Sequence, residues 1–216
     1  MKTAFIFDLD GVIVDTAKYH YLAWQRLAAE MGFSFDETDN ERLKGVGRMQ
    51  ALDILLEIGG LSLTEDRRIQ LAQQKNIWYV EYLEMLNQDA VLPGAVNFLK
   101  KSRQLGLKTA LGSASRNAST ILKKLDLLPY FDVIVDGNST TRAKPDPEVF
   151  VLGAKALNEP PSSCVVFEDA QAGIDAALNA GMTAVGVGLP EHLEGAALVI
   201  PSLQVLTPQS LIIQLL

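Results

Sequence analysis

Residues 5–12 read Phe5-Ile6-Phe7-Asp8-Leu9-Asp10-Gly11-Val12: a short apolar run, two carboxylates one leucine apart, then glycine. If 5–8 is a buried strand, the run stops where the chain must leave the sheet, and Asp8 and Asp10 face the same side. The carboxyl end of a strand is where open α/β sheets bind ligands. Two carboxylates this close repel each other unless a cation, a shared proton or a substrate relieves them. A plain strand followed by an Asp-Gly turn fits the same eight residues. The rest of the chain has to decide.

The chain has 216 residues, room for one large domain or one domain with a small insert, and is 48% hydrophobic and 21% charged, as a globular protein with a core should be. A net charge of -7 argues against a nucleic-acid partner, which calls for basic patches. A small phosphorylated substrate stays compatible, because it needs only a few local cations. The single cysteine, Cys164, opens the apolar run Cys164-Val165-Val166-Phe167 and reads as a packed strand thiol. No intrachain disulfide can form, which suits a reducing compartment. Asp8 and Asp10 break the only early apolar stretch, so a secretory signal is not expected. No run reaches the roughly 20 apolar residues of a membrane helix. A cytoplasmic protein without a membrane partner is the expectation.

Downstream of Gly11, Asp15 is a suitable N-cap for a helix running to Met31 and closed by Gly32. Thr16, His20 and Trp24 recur every four residues along it. They read as packing residues of a helical insert, while their distance from the Asp pair also suits a role at a site. From 33 to 88 no strand pattern occurs, and helices are expected at 39–44, 48–58 and 64–86, with Gly59-Gly60 as a breaker. In the last of these, Ile69, Ala72, Tyr79, Leu83 and Leu86 form the apolar stripe. Lys75 falls on that inward face, where a lysine either snorkels outward or reaches into a cleft. The loop Lys44-Gly45-Val46-Gly47-Arg48 combines two cations, glycine backbone and a helix start, a combination suited to phosphate. A flexible loop with solvated cations is the plain alternative.

Beyond Val91 helices and strands alternate. Strands are expected at 108–112, 133–135, 164–167 and 183–187, with helices between them, a grammar that predicts a parallel sheet with right-handed crossovers. The first of these strands ends in Ser113-Ala114-Ser115-Arg116-Asn117, a loop rich in phosphate donors. The third ends in Glu168-Asp169, and Lys144-Pro145 precedes a helix. The expected fold is therefore α/β: a Rossmann-like parallel-sheet core made of 1–14 and 91–216, interrupted by a helical cap at 15–90. Hinges near 14–15 and 87–89 would let the cap close.

Chemistry follows from the strand ends. Asp8, Glu168 and Asp169 are hard oxygen ligands that suit Mg²⁺. Asp8 can serve as a nucleophile toward phosphorus, Lys144 can neutralise charge, Ser113 can donate to phosphoryl oxygens, and Asp10 can move the leaving-group proton.

These four strand-end motifs resemble those of the haloacid dehalogenase-like phosphotransferases, and the resemblance spans the core. A tighter resemblance, to the β-phosphoglucomutase family, extends into the cap through Thr16, His20, Trp24, Lys44, Gly45, Val46, Arg48 and Lys75, and into Ala114, Ser115, Arg116 and Asn117. It implies Asp8 as nucleophile, Asp10 as acid/base, and Mg²⁺ held by Asp8, Asp10, Glu168 and Asp169. The substrate implied is a phosphorylated sugar: β-D-glucose 1-phosphate converted to glucose 6-phosphate through β-glucose 1,6-bisphosphate. Arg48 would hold one phosphate, and Ser115, Arg116 and Asn117 the other. His20 and Lys75 would link cap closure to Asp10. Lysine can stand where this chain has Arg116; arginine keeps the charge and adds bidentate geometry. Two other readings share the core motifs: a sugar-phosphate phosphatase with water as acceptor, and a silent binding protein on the same scaffold. A monomer is expected.

Overall fold

The computed structural model describes residues 2–215. Its first strand, β1 (Ala4–Phe7), is followed by four helices, α1 (Ala17–Glu30), α2 (Glu37–Glu41), α3 (Arg48–Ile58) and α4 (Glu65–Leu83). Alternation then sets in: α5 (Ala95–Gln104), β2 (Lys108–Gly112), α6 (Ala118–Lys124), β3 (Val133–Val135), α7 (Glu148–Leu157), β4 (Cys164–Glu168), α8 (Gln171–Asn179) and β5 (Thr183–Val187). A short strand β6 (Leu198–Ile200) and helix α9 (Pro208–Gln214) follow.

The six strands form one sheet in the order β3-β2-β1-β4-β5-β6, and every neighbouring pair is parallel. Order reverses at β1, so the crevice beyond the ends of β1 and β4 is the place where a doubly wound sheet binds ligands. Registers align Phe7 with Phe167 and with Leu111, which brings Asp8 level with Glu168 and close to the loop after β2.

Alternation along β1 explains the two layers. Phe5 and Phe7 point to the face covered by α5, α6 and α9, where they pack with Phe98 and Phe167; the Phe7 and Phe167 rings stack at 4.6 Å. Ala4 and Ile6 point to the opposite face, against Phe150 of α7 and Ile174 of α8. All of these side chains are fully buried or nearly so. Each large one contributes roughly 1.5–3 kcal/mol through burial.

Some local expectations need correction. Helix α1 starts at Ala17 with Thr16 as its N-cap, and Asp15 does not cap it; the Thr16 hydroxyl is bonded to Asp10 instead. Ile69 is 41% exposed, while Leu71 and Trp78 join Ala72, Lys75, Tyr79 and Leu83 on the buried face of α4. Packing of α4 between α1 and α3 widens the buried arc beyond one stripe.

The chain leaves and re-enters the sheet region at one point. Val14 bridges Val91 in antiparallel fashion, the Asp15 N–H donates to the Ala90 carbonyl (2.7 Å), and the Leu92 N–H donates to the Ile13 carbonyl (2.9 Å). This pairing sets residues 13–15 and 90–92 side by side.

Candidate active site

At the end of β1, Asp8 is buried and its N–H donates to the Phe167 carbonyl across the sheet (2.9 Å). Lys144, 1% exposed, reaches in from the segment before α7; its Nζ donates to Asp8 Oδ1 at 2.5 Å and to Glu168 Oε1. The other Glu168 oxygen accepts from the Ala170 N–H at 3.1 Å. Gly173 makes room for that carboxylate, since a side chain there would collide with it. Gly11 adopts φ +79°, a left-handed conformation glycine favours, and its missing side chain leaves space for Asp169. The Asp-Gly step thus turns the chain and lets two acidic strand ends approach each other.

This end of the site is strongly acidic. Burial, and then the charge of Asp8, push Asp10 up to about 7. Burial together with Glu168 and Asp8 holds Asp169 well above the usual carboxylate range. Burial also raises Glu168, with Lys144 pulling the other way, and the two neighbouring carboxylates raise Lys144 despite its burial. Lys144 pairs directly with only two of these four carboxylates, Asp8 and Glu168, and the acidic excess that remains is one a cation relieves. Among the described residues, however, no three His, Cys, Asp or Glu side chains converge closely enough to cage a metal ion. The four-carboxylate ligand set expected from the sequence is present at one end of the site but not gathered into such a cage. Asp8, Asp10 and Asp169 open on the cavity, whereas both oxygens of Glu168 are engaged. That donor set fits an ion that keeps several waters and shares a substrate phosphate.

The loop after β2 is pre-shaped for anions. Ser113, 1% exposed, accepts from the Ser115 N–H through Oγ (3.1 Å), and Ser115 Oγ accepts from the Asn117 N–H (3.2 Å). Across the cavity, Asn117 Nδ2 donates to Asn76 Oδ1 of α4 at 3.0 Å. Arg48 begins α3 and Arg116 faces it closely enough to disfavour its charge, after burial itself. Neither guanidinium makes an ion pair among the described residues. Lys44, by contrast, is paired with Glu41 at 2.8 Å.

A third group links the two ends. Lys75 is 2% exposed, lies 4.5 Å from the Trp24 ring and 4.8 Å from the Tyr79 ring, and sits 2.8 Å from His20 Nδ1. Burial, and then the Arg48 charge, holds Lys75 well below its ordinary pKa. Burial, then the Lys75 charge, keeps His20 well below its ordinary pKa, so the imidazole is neutral. His20 stacks on Tyr79 at 3.9 Å.

One cavity of ≈ 590 Å³ is lined by Asp8, Asp10, His20, Trp24, Lys44, Gly45, Val46, Arg48, Lys75, Ser113, Ala114, Ser115, Arg116, Asn117, Lys144 and Asp169. Of the residues singled out from sequence, Thr16 and Glu168 stand behind this lining, bonded to Asp10 and Lys144 respectively. Sequence reading placed Tyr79 on the apolar stripe and gave it no role at the site; its buried hydroxyl has no hydrogen-bond partner among the described residues although Thr16 and Ser115 lie near it. Its place four residues after Lys75 was the available signal. Thr140, Thr141, Arg142 and Ala143 also line the cavity and carried no motif.

Residues 2–181 match the haloacid dehalogenase-like hydrolase family. The chain is 42% identical over 199 residues to the β-phosphoglucomutase of Bacillus subtilis, covering 91% of this chain and 88% of the relative. It is 35% identical over 181 residues to the phosphorylated carbohydrates phosphatase of Thermotoga maritima, with 83% and 82% covered. The crystal structure of β-phosphoglucomutase from Clostridium difficile superposes with a TM-score of 0.95 at 42% identity, covering 99% of this chain and 97% of that one. With this fold and these strand ends, the chain belongs to the haloacid dehalogenase-like hydrolase family, in its β-phosphoglucomutase branch.

Proposed function

We propose that the protein is a β-phosphoglucomutase, an isomerase that interconverts β-D-glucose 1-phosphate and glucose 6-phosphate through β-glucose 1,6-bisphosphate. The observation that carries this reading is a cavity with two different ends. One holds a buried carboxylate bonded to a lysine, as phosphoryl transfer through an enzyme carboxylate requires; the other holds two arginines without ion-pair partners among the described residues. A doubly phosphorylated sugar matches both ends at once.

In the proposed cycle, the 6-hydroxyl of β-glucose 1-phosphate attacks phosphorus of phospho-Asp8. The Asp8–phosphorus bond breaks, Asp10 takes the hydroxyl proton, and the bisphosphate results. After the sugar reverses its ends, Asp8 attacks the phosphorus at C1. That C1 oxygen leaves with the proton from Asp10, and glucose 6-phosphate and phospho-Asp8 are restored. A pKa near 7 lets Asp10 both give and take a proton. Lys144 offsets charge on Asp8 and on the phosphoryl group, while Ser113 and the Ser115–Asn117 loop donate to phosphate oxygens. Family membership implies a divalent metal. We take it to be Mg²⁺, held by Asp8, Asp10 and Asp169 with Glu168 behind them, where it would supply positive charge against the incoming phosphate.

We further read 15–90 as a cap on a core formed by 1–14 and 91–216, with the neck at Val14 and Val91 as its hinge. Arg48, His20 and Lys75 come from the cap side, and a single chain supplies both ends of the cavity, consistent with a monomer. We place the enzyme in the cytoplasm, where phosphorylated sugars are handled. The 35% identical phosphatase sustains the second reading, in which water accepts the phosphoryl group. Conversion of β-glucose 1-phosphate with Mg²⁺ and a trace of bisphosphate tests the proposal. Wild-type protein should form glucose 6-phosphate, and Asp8→Asn should lose that activity by at least about 10³-fold while still binding the bisphosphate. Unimpaired turnover by Asp8→Asn would contradict the assignment of the nucleophile.

A further inference from the structure

Gly47, the residue immediately before Arg48, has φ -69° and ψ 156°, an extended conformation open to any amino acid. Backbone freedom therefore does not explain a glycine here. Space does: a Cβ on Gly47 would stand 3.0 Å from the Cβ of Ala143, closer than methyl groups settle without displacement. A second close approach lies two residues earlier, at Gly45, where φ is +71° and a Cβ would also come within 2.8 Å of Ala170 Cβ. Both alanines adjoin the chemistry. Ala143 precedes Lys144, which bonds Asp8 and Glu168. Ala170 follows Asp169, and its N–H holds Glu168.

We infer that Gly47 and Ala143 form a docking step whose combined size fixes how far Arg48 reaches toward Asp8, making them positioning residues for a sugar that must touch both ends of the cavity. This rests on the mutase reading above. Backbone-to-methyl packing is stiff, so the loop at 44–48 stops at a defined distance from the segment that carries Lys144. An added methyl at 47 pushes Arg48 back. Removing the methyl at 143 takes that obstacle away.

The decisive experiment measures binding of β-glucose 1,6-bisphosphate by titration calorimetry in an Asp8→Asn background, where the ligand is not consumed. Gly47→Ala should weaken the bisphosphate by about tenfold or more while leaving inorganic phosphate binding at the Asp8 end and the thermal unfolding midpoint unchanged. Adding Ala143→Gly to Gly47→Ala should restore most of the lost affinity, a rescue that a merely structural role for either residue does not give. Unchanged bisphosphate affinity in Gly47→Ala, or a loss that Ala143→Gly fails to repair, would overturn the docking step and leave the functional reading standing. If the Asp8→Asn protein with both native residues does not bind the bisphosphate at all, the functional reading falls and takes this inference with it.

Discussion

At the scale of single residues, the site is a problem of charge. Asp8 and Glu168 pair with Lys144 while Asp10 and Asp169 lie close by, and burial with mutual repulsion raises Asp10 to about 7 and holds Asp169 well above its ordinary value. A carboxyl whose pKa is higher in the folded than in the unfolded chain stabilises the fold fully below the unfolded value near 3.8. That contribution fades as pH rises and is gone once pH passes the folded value. Metal-free protein should therefore melt at a lower temperature at pH 8 than at pH 5.5. Millimolar Mg²⁺ should raise the melting temperature more at pH 8, because it binds the ionised carboxylates and not the protonated ones. Differential scanning fluorimetry across that range checks both statements, and an equal Mg²⁺ shift at the two pH values would contradict them. The Asp pair, Lys144 and Glu168-Asp169 were legible because each stands where an apolar strand stops or a Pro-marked helix begins. Their hydrogen-bonding partners were not. Nothing in sequence shows that Glu168 spends both oxygens on Lys144 and Ala170, or that Thr16 bonds Asp10 in place of starting a capping interaction.

Among the elements, β1 does the most, since it sits at the centre of the sheet and leads straight into Asp8, the proposed nucleophile. Phe7 is fully buried, stacks on Phe167 and meets Phe98 and Phe131 edge-on. Phe7→Ala should cost about 3–5 kcal/mol of unfolding free energy in urea denaturation, with activity falling as Asp8 loses its fixed place. A loss below about 1 kcal/mol would show that β1 is not the packed hub described here. The strands at 108–112, 133–135 and 183–187 could be read with their observed bounds, because short, mostly apolar runs there are punctuated by glycine or charge. β6 and α9 were missed, the latter because a seven-residue helix gives barely two turns of pattern. Ile69 was misassigned for a different reason. A helix packed on two neighbours buries a wide arc, and sequence alone does not fix its centre; Lys75, the one charged residue on the stripe, is the part of that reading that survives, deeply buried beside His20.

For the whole molecule, the central fact is one cavity with a carboxylate–lysine end on the sheet and an arginine end shared by α3 and the loop after β2. Alternation of strands and helices was enough to foresee the parallel sheet and the ligand crevice at its carboxyl edge. Cavity shape was beyond that reading, because it depends on close approaches such as Gly47 to Ala143 that have no periodic signature. What separates mutase from phosphatase on this fold is the acceptor of the phosphoryl group, and the two-ended cavity favours a sugar phosphate held by Arg48 and Arg116 over water. The most direct measurement therefore follows glucose 6-phosphate and free phosphate together, from purified wild-type protein given Mg²⁺, β-D-glucose 1-phosphate and a trace of β-glucose 1,6-bisphosphate. Glucose 6-phosphate should be the dominant product, with free phosphate slower by about 10²-fold or more, the scale that positioning of a bound acceptor supplies. Free phosphate released at a comparable rate would contradict it and make the protein a phosphatase.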